Sequence, residues 1–371
     1  MRGPPKPTVS VRSAALLLGL SLLGLLLFSA CGNIAAPEGW AAPVAVDSTI
    51  LVSLQHGKLT ALDRQTSQEI WQFPPKDAKN IDLKAIYGTP VIGNGRVYVG
   101  AFDGTFYALD LATGQVLWQQ ETGGAIIGGA ALADSTVYVG SSDKKLYALD
   151  AASGAPRWPA FETQGEVWST PLVDQGTVYV ASMDKRMYAL DAATGQPKWS
   201  KPFEANGAIP TTPALAGDKL YVGALDNRLY ALDKATGEVA WSFKTGNWIW
   251  CDPLVADGAV YVGGLDHHVY ALDAATGEPR WAGPFAAKAP IRAQPALAAG
   301  VLVVADDGGE VYGLDPATGQ ERWPSIALGS GVLANPLVVD TEVFLSASNG
   351  NLLRVDAGTG SFSQVQVIPA P

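Results

Sequence analysis

The chain has 371 residues, 48% of them apolar and 16% charged, with 41 glycines, against roughly 25% charged and 7% glycine in an average globular domain. Disorder, collagen and coiled coil are excluded, and the length allows two or three ordinary domains or one large closed β-architecture. The net charge is −10 and becomes −13 once the three cations of the first 30 residues, Arg2, Lys6 and Arg12, are set aside; so acidic a chain repels phosphate backbones, and no nucleic acid is expected as a partner.

The first element in chain order is a targeting segment, 1–30: the three cations, an uncharged apolar run over 14–28, then Ser29-Ala30-Cys31. The run is short against the ~20 residues of a spanning helix and reads as the apolar core of a signal peptide. LFSAC, ending at Cys31, resembles the lipobox of bacterial lipoproteins. That resemblance implies acylation of the Cys31 sulfur and a lipid anchor to the outside of a bacterial membrane. Residues 31–42 are then a flexible tether.

From residue 43 to the end one unit recurs. YALDLATGQVLW returns as YALDAASGAPRW, YALDAATGQPKW, YALDKATGEVAW, YALDAATGEPRW and YGLDPATGQERW, with weaker copies at both ends. The motif aspartates are Asp63, Asp110, Asp150, Asp191, Asp233, Asp273, Asp315 and Asp356, spaced 47, 40, 41, 42, 40, 42 and 41 residues apart. Each copy predicts four short strands, in the second copy 90–92, 96–101, 105–110 and 115–121, divided by turn residues. The second turn is Asp103-Gly104 or an equivalent pair, and the third is Asp-x-x-Thr-Gly, whose Asp can hold backbone amides ahead of it. Four strands per ~40–45 residues, eight times over, predict an all-β fold: an eight-bladed β-propeller of four-stranded antiparallel blades.

Seven tryptophans, Trp71, Trp118, Trp158, Trp199, Trp241, Trp281 and Trp323, each stand eight residues after the motif Asp. A large ring at a fixed repeat position, on the outermost strand, is expected to fill the wedge between blades and to need an acceptor for its N–H. In the last copy the place falls on Gln364, so blade eight lacks its wedge.

Where copies differ, function can reside. The 47-residue spacing marks an insertion, 72–88, carrying Lys76, Lys79 and Lys84, a candidate partner contact. Three residues before the proline of each first strand, or its equivalent, stand Trp40, Tyr87, Ile127, Trp168, Pro210, Trp250, Arg292 and Leu333, with Trp248 two residues before Trp250. These positions are expected around the mouth of the central channel, with Trp40, Tyr87, Trp168, Trp248, Trp250 and Arg292 as a partner-binding or ligand-binding surface. No metal site is expected, because His56, His267 and His268 belong to turns of blades one and six, and Cys251 reads as a small core residue. Two cysteines in the chain also give no disulfide framework.

The eight Asp-x-x-Thr-Gly-x-x-x-Trp units resemble the pyrroloquinoline-quinone-type propeller repeats shared by quinoprotein alcohol dehydrogenases and non-catalytic lipoproteins. In size and layout the chain is most similar to the BamB-type outer-membrane assembly lipoproteins. The resemblance implies a membrane-anchored, non-catalytic and monomeric scaffold in the cell envelope, with protein partners at the channel mouth or the 72–88 loop and no cofactor. The alternatives are a quinone-dependent oxidoreductase and a carbohydrate-binding propeller. For the first, the resemblance implies vicinal cysteines and calcium ligands; the chain has no adjacent cysteines, and its motif aspartates are committed to turns.

Overall fold

In the computed structural model, which describes residues 39–54, 57–78 and 81–366, each sequence copy becomes one sheet of four consecutive antiparallel strands, thirty-two strands in eight sheets among the described residues. The second copy forms Val91–Gly93, Arg96–Gly100, Thr105–Asp110 and Val116–Glu121. First strands of neighbouring sheets lie side by side around a central channel, so the sheets are blades of an eight-bladed β-propeller. The signal segment, Cys31 and most of the expected tether lie outside the described residues. Residues 39–42, read from the sequence as tether, already belong to the fold, since Ala41 is fully buried and Gly39 presses on the backbone of Ile86.

The repeated turn and the repeated tryptophan are one device. Asp110 Oδ1 accepts from the N–H of Ala112 and from both the N–H and the hydroxyl of Thr113, which brings Gly114 to φ +70°. The indole of Trp71, from the blade before, lies against that glycine, where a Cβ would sit 2.6 Å from the ring. Its Nε1 donates to the carbonyl of Leu111, just after the motif Asp. The same bond joins Trp118 to Ala151, Trp158 to Ala192, Trp199 to Lys234, Trp241 to Ala274, Trp281 to Pro316 and Trp323 to Ala357. Tyrosines of the second strands, such as Tyr98 and Tyr138, donate to the same carbonyls.

Two expectations about the tryptophans are corrected. In blades three, four and six the ring is not on the outermost strand, because Pro156, Pro197 and Pro279 reduce the approach to a single bridge and leave fourth strands of two residues, Phe161–Glu162, Phe203–Glu204 and Phe285–Ala286. Proline lacks the N–H a ladder needs. In blade eight, strand pairing sets Ser363, not Gln364, opposite Arg354. Full-length wedge strands carry a β-bulge just before the motif Asp, as at Ala108/Leu109, and blade eight pairs without one.

Blade eight meets blade one through an apolar cluster in which Phe344 and Leu352 pack with Ile50, Val52 and Leu62. The insertion packs as well: Phe73, Leu83 and Ile86 are buried in the core between blades one and two. Lys76 pairs with Glu69 at 3.2 Å, Lys84 is exposed and Lys79 lies outside the described residues, so no lysine cluster is formed by the part that is described.

Candidate functional site: the channel mouth

Each loop entering blades two to eight reaches the channel with a pair of residues of opposite fate. Ile86, Ile126, Val167, Ile209, Ile249, Ile291 and Val332 are fully buried, and the residue after each, Tyr87, Ile127, Trp168, Pro210, Trp250, Arg292 and Leu333, is half-buried. Alternation along extended chain accounts for this, one side chain entering the core and the next facing the channel. The buried partner needs room, and Gly100, Gly140, Gly223 and Gly263 at the ends of second strands supply it; a Cβ on any of them would lie 2.1–2.3 Å from Ile126, Val167, Ile249 or Ile291.

The aspartate of the second turn holds the same loops. Asp143 Oδ2 accepts from the Tyr147 hydroxyl at 2.5 Å and from the incoming N–H of Gly123 at 2.8 Å, and Asp184, Asp226 and Asp266 repeat the arrangement with Tyr188, Tyr230 and Tyr270. Burial, then the bonded carboxylate, push these tyrosines up. His267 sits at φ +67° in such a turn, and His268 Nδ1 is 2.7 Å from the Asp266 carbonyl; His56 lies outside the described residues.

Two aromatic groups stand at the mouth. Trp40 and Tyr87 meet edge to face with centroids 4.4 Å apart, and Tyr87 meets Phe102 at 5.4 Å. Across blade five, Trp168 and Trp250 approach to 6.2 Å. The Arg292 guanidinium lies 5.8 Å from the Trp250 ring centre while its Nε donates to Asp307 Oδ2 at 2.7 Å. Trp168 Nε1 donates to Ser142 Oγ. Trp248 is half-buried with the fully buried Ile249 between it and Trp250. Arg292, expected from the sequence as part of the binding surface, is thus already paired with a carboxylate of its own chain. Burial pushes the carboxyls of Glu166 and Asp307 up, against the Trp168 N–H in the first case and Arg292 in the second.

Sequence reasoning missed two sets of residues. Phe102, Met183, Leu225 and Leu265, each directly before a second-turn Asp, are half-buried on the same end of the blades. Two residues beyond the outer ring lies an inner ring of Ala42, Thr89, Gly129, Thr170, Thr212, Asp252, Gln294 and Asn335. The N–H groups of Gly129, Thr170, Thr212 and Gln294 donate to the side chains of Thr170, Thr212, Asp252 and Asn335 respectively, blade to blade. The available signal was a polar residue of changing type directly before the strand proline.

Repeat, blade and channel together define the class of protein: an eight-bladed propeller of pyrroloquinoline-quinone-like repeats. A family model described as outer membrane protein assembly factor BamB matches overlapping stretches 35–125, 103–208, 202–323 and 281–363, and the chain belongs to that family. Over 90 residues it is 37% identical to the outer membrane protein assembly factor BamB of Salmonella typhimurium, covering 23% of either chain. Over 86 residues it is 36% identical to a quinohemoprotein alcohol dehydrogenase of Comamonas testosteroni, covering 22% of this chain and 12% of that one. The chain thus spans less than a quarter of the length of these curated relatives. Among solved structures, BamB from Moraxella catarrhalis has a TM-score of 0.70 at 22% identity over 85% of this chain and 93% of that one. A europium-containing methanol dehydrogenase has a TM-score of 0.67 at 15% identity over 86% and 82%. At these identities the structural likeness is one of fold.

The residues present do not fit a quinone with calcium as the resemblance implies it. Cys251 Sγ is fully buried among the Asp252 and Ala293 carbonyls and the Gly263 N–H, and burial pushes its thiol up. The inner ring offers one carboxylate, Asp252, with each oxygen already accepting a protein donor. Among the described residues no three His, Cys, Asp or Glu side chains converge on a metal-sized site.

Proposed function

We propose that this chain is a non-catalytic scaffold, held at the cell envelope by a lipid on Cys31, whose channel mouth receives an extended segment of a partner protein during envelope or outer-membrane protein assembly. The observation that carries the reading is the mouth itself: half-buried aromatic rings at one repeat position, where other copies place Ile, Pro, Arg or Leu. A wedge uses one residue type throughout, as the seven blade tryptophans do; the varied mouth positions are available for recognition. Membership of the BamB family supports assembly as the setting. Replacing Trp168 and Trp250 together with Ala weakens capture of the partner that co-purifies with the native chain by at least ~2 kcal/mol, the scale of interface hot spots, with the melting temperature little changed. Normal capture with early melting makes the rings packing residues and sinks the reading.

The anchor has its own test. Cys31→Ser releases the protein from membranes or blocks processing, and intact-mass analysis showing an unmodified Cys31 at the mature N-terminus counts against lipidation. The dehydrogenase relatives make oxidation of alcohols the second reading; saturable binding of pyrroloquinoline quinone with calcium, coupled to alcohol oxidation, would establish it over the scaffold.

A further inference from the structure

Asp252 is the carboxylate of the inner ring, two residues past Trp250 in the loop that enters blade six. Its Oδ1 accepts the Thr212 N–H at 2.7 Å and its Oδ2 the Asn335 side-chain amide at 2.8 Å. Both donors are neutral. The one cation of the outer ring, Arg292, is bound to Asp307. Asp252 is half-buried. Each carboxylate oxygen retains a lone pair. Beside it, the Gln294 side-chain amide donates to the Pro253 carbonyl, and its Oε1 accepts no bond among the described residues. The opposite arc of the ring, Ala42, Thr89 and Gly129, brings little side-chain volume.

We infer that the channel is a receptor for one lysine side chain of the partner segment, its four-carbon stem lying against Trp168 and Trp250 and its ammonium bound by the Asp252 carboxylate and the Gln294 carbonyl oxygen. This rests on the reading of the mouth as a partner-binding surface and names what that surface selects. A carboxylate enclosed by protein without a cation is costly, and burial indeed pushes Asp252 up despite its two donors. An ammonium is the compact point charge that completes it. The surplus of acid over base in the chain, 35 residues against 25, favours approach of a basic segment.

The test uses two peptides, Ac-Ala-Leu-Lys-Leu-Ala-NH2 and its norleucine counterpart, titrated onto the full chain in detergent with 5-fluorotryptophan incorporated. Fluorine NMR reads the Trp168 and Trp250 signals, assigned by Trp168→Phe and Trp250→Phe. The lysine peptide shifts both signals and binds at least about tenfold tighter than the norleucine peptide, the scale of a charge-assisted hydrogen bond. Asp252→Asn removes that advantage. Equal binding of the two peptides by the unmodified protein overturns the lysine site while the mouth reading stands, and needs no variant to fold. An advantage that survives Asp252→Asn overturns the role of Asp252. Failure of both peptides to move either signal overturns the site and the mouth reading together.

Discussion

Ser67 shows what the repeated glycine is for. It takes φ +60° at the place where the other copies carry Gly114, Gly154, Gly195, Gly237, Gly277, Gly319 and Gly360, each with an indole against it. The blade before Ser67 is blade eight, which has no tryptophan to offer, so a Cβ is tolerated there. The left-handed backbone is thus common to all these turns, and the strict need for glycine comes from the neighbouring ring. Gly195→Ala places a Cβ 2.8 Å from the Trp158 ring and is expected to cost about 1–3 kcal/mol by overpacking, with a further penalty for the positive φ. Ser67→Ala stays within roughly 0.5 kcal/mol. Urea denaturation of Gly195→Ala in the Trp158→Phe and Trp158→Ala backgrounds checks the mechanism, since the cost falls as the ring is removed. A cost independent of residue 158 assigns the glycine to backbone conformation alone.

At the scale of the element, the Asp-x-x-Thr turn links stability to pH. The Asp191 carboxyl is held below the usual range chiefly by the Thr194 hydroxyl, with the N–H groups of Thr194 and Ala193 adding to it against the opposing effect of desolvation. Asp110 and Asp150 are lowered in the same way by Thr113 and Ser153. A folded pKa below the unfolded one means that the unfolded chain binds more protons, so this contribution is complete above the unfolded value of about 3.9 and is lost as pH falls through the lower folded values. The triple variant Asp110→Asn, Asp150→Asn, Asp191→Asn keeps an acceptor oxygen in each turn and removes the charge. It is expected to be less stable than the native chain at pH 7, with the gap closing below about pH 4. Denaturant midpoints at pH 7, 5, 4 and 3 measure this; a gap that stays constant would show that ionisation of the turns is not linked to folding.

For the whole molecule, the interface between blades eight and one is the weak one. Elsewhere a blade interface adds an indole hydrogen bond to its apolar contact, whereas among the described residues the first and last blades share an apolar contact without such an indole bond. Each sheet is built from consecutive strands, so among the described residues no strand crosses this seam. Local opening begins where such ties are fewest. Amides of Thr49–Leu54 and Glu342–Ser346 are expected to exchange with solvent before those of Thr177–Ala181, in a middle blade. Native-state hydrogen exchange that protects the three segments equally would make the ring a single cooperative unit.

Periodicity alone determined the number of blades, the four strands of each and the tight turns, because each copy repeats the same local problem: alternate apolar residues, an Asp that caps its own turn, and a ring that must be buried. It also placed Trp40, Tyr87, Trp168, Trp250 and Arg292 at equivalent positions of the channel mouth. Only the tertiary structure decided which of them meet, since Trp168 and Trp250 are 82 residues apart in sequence and touch across an intervening blade. It alone showed Arg292 already bound to Asp307, and it revealed the inner ring, whose hydrogen bonds pass from one blade to the next. The physical reason is one of range. A repeat constrains each blade through neighbours in sequence, whereas the channel is lined by one short segment from every blade, and its chemistry exists only once the ring has closed.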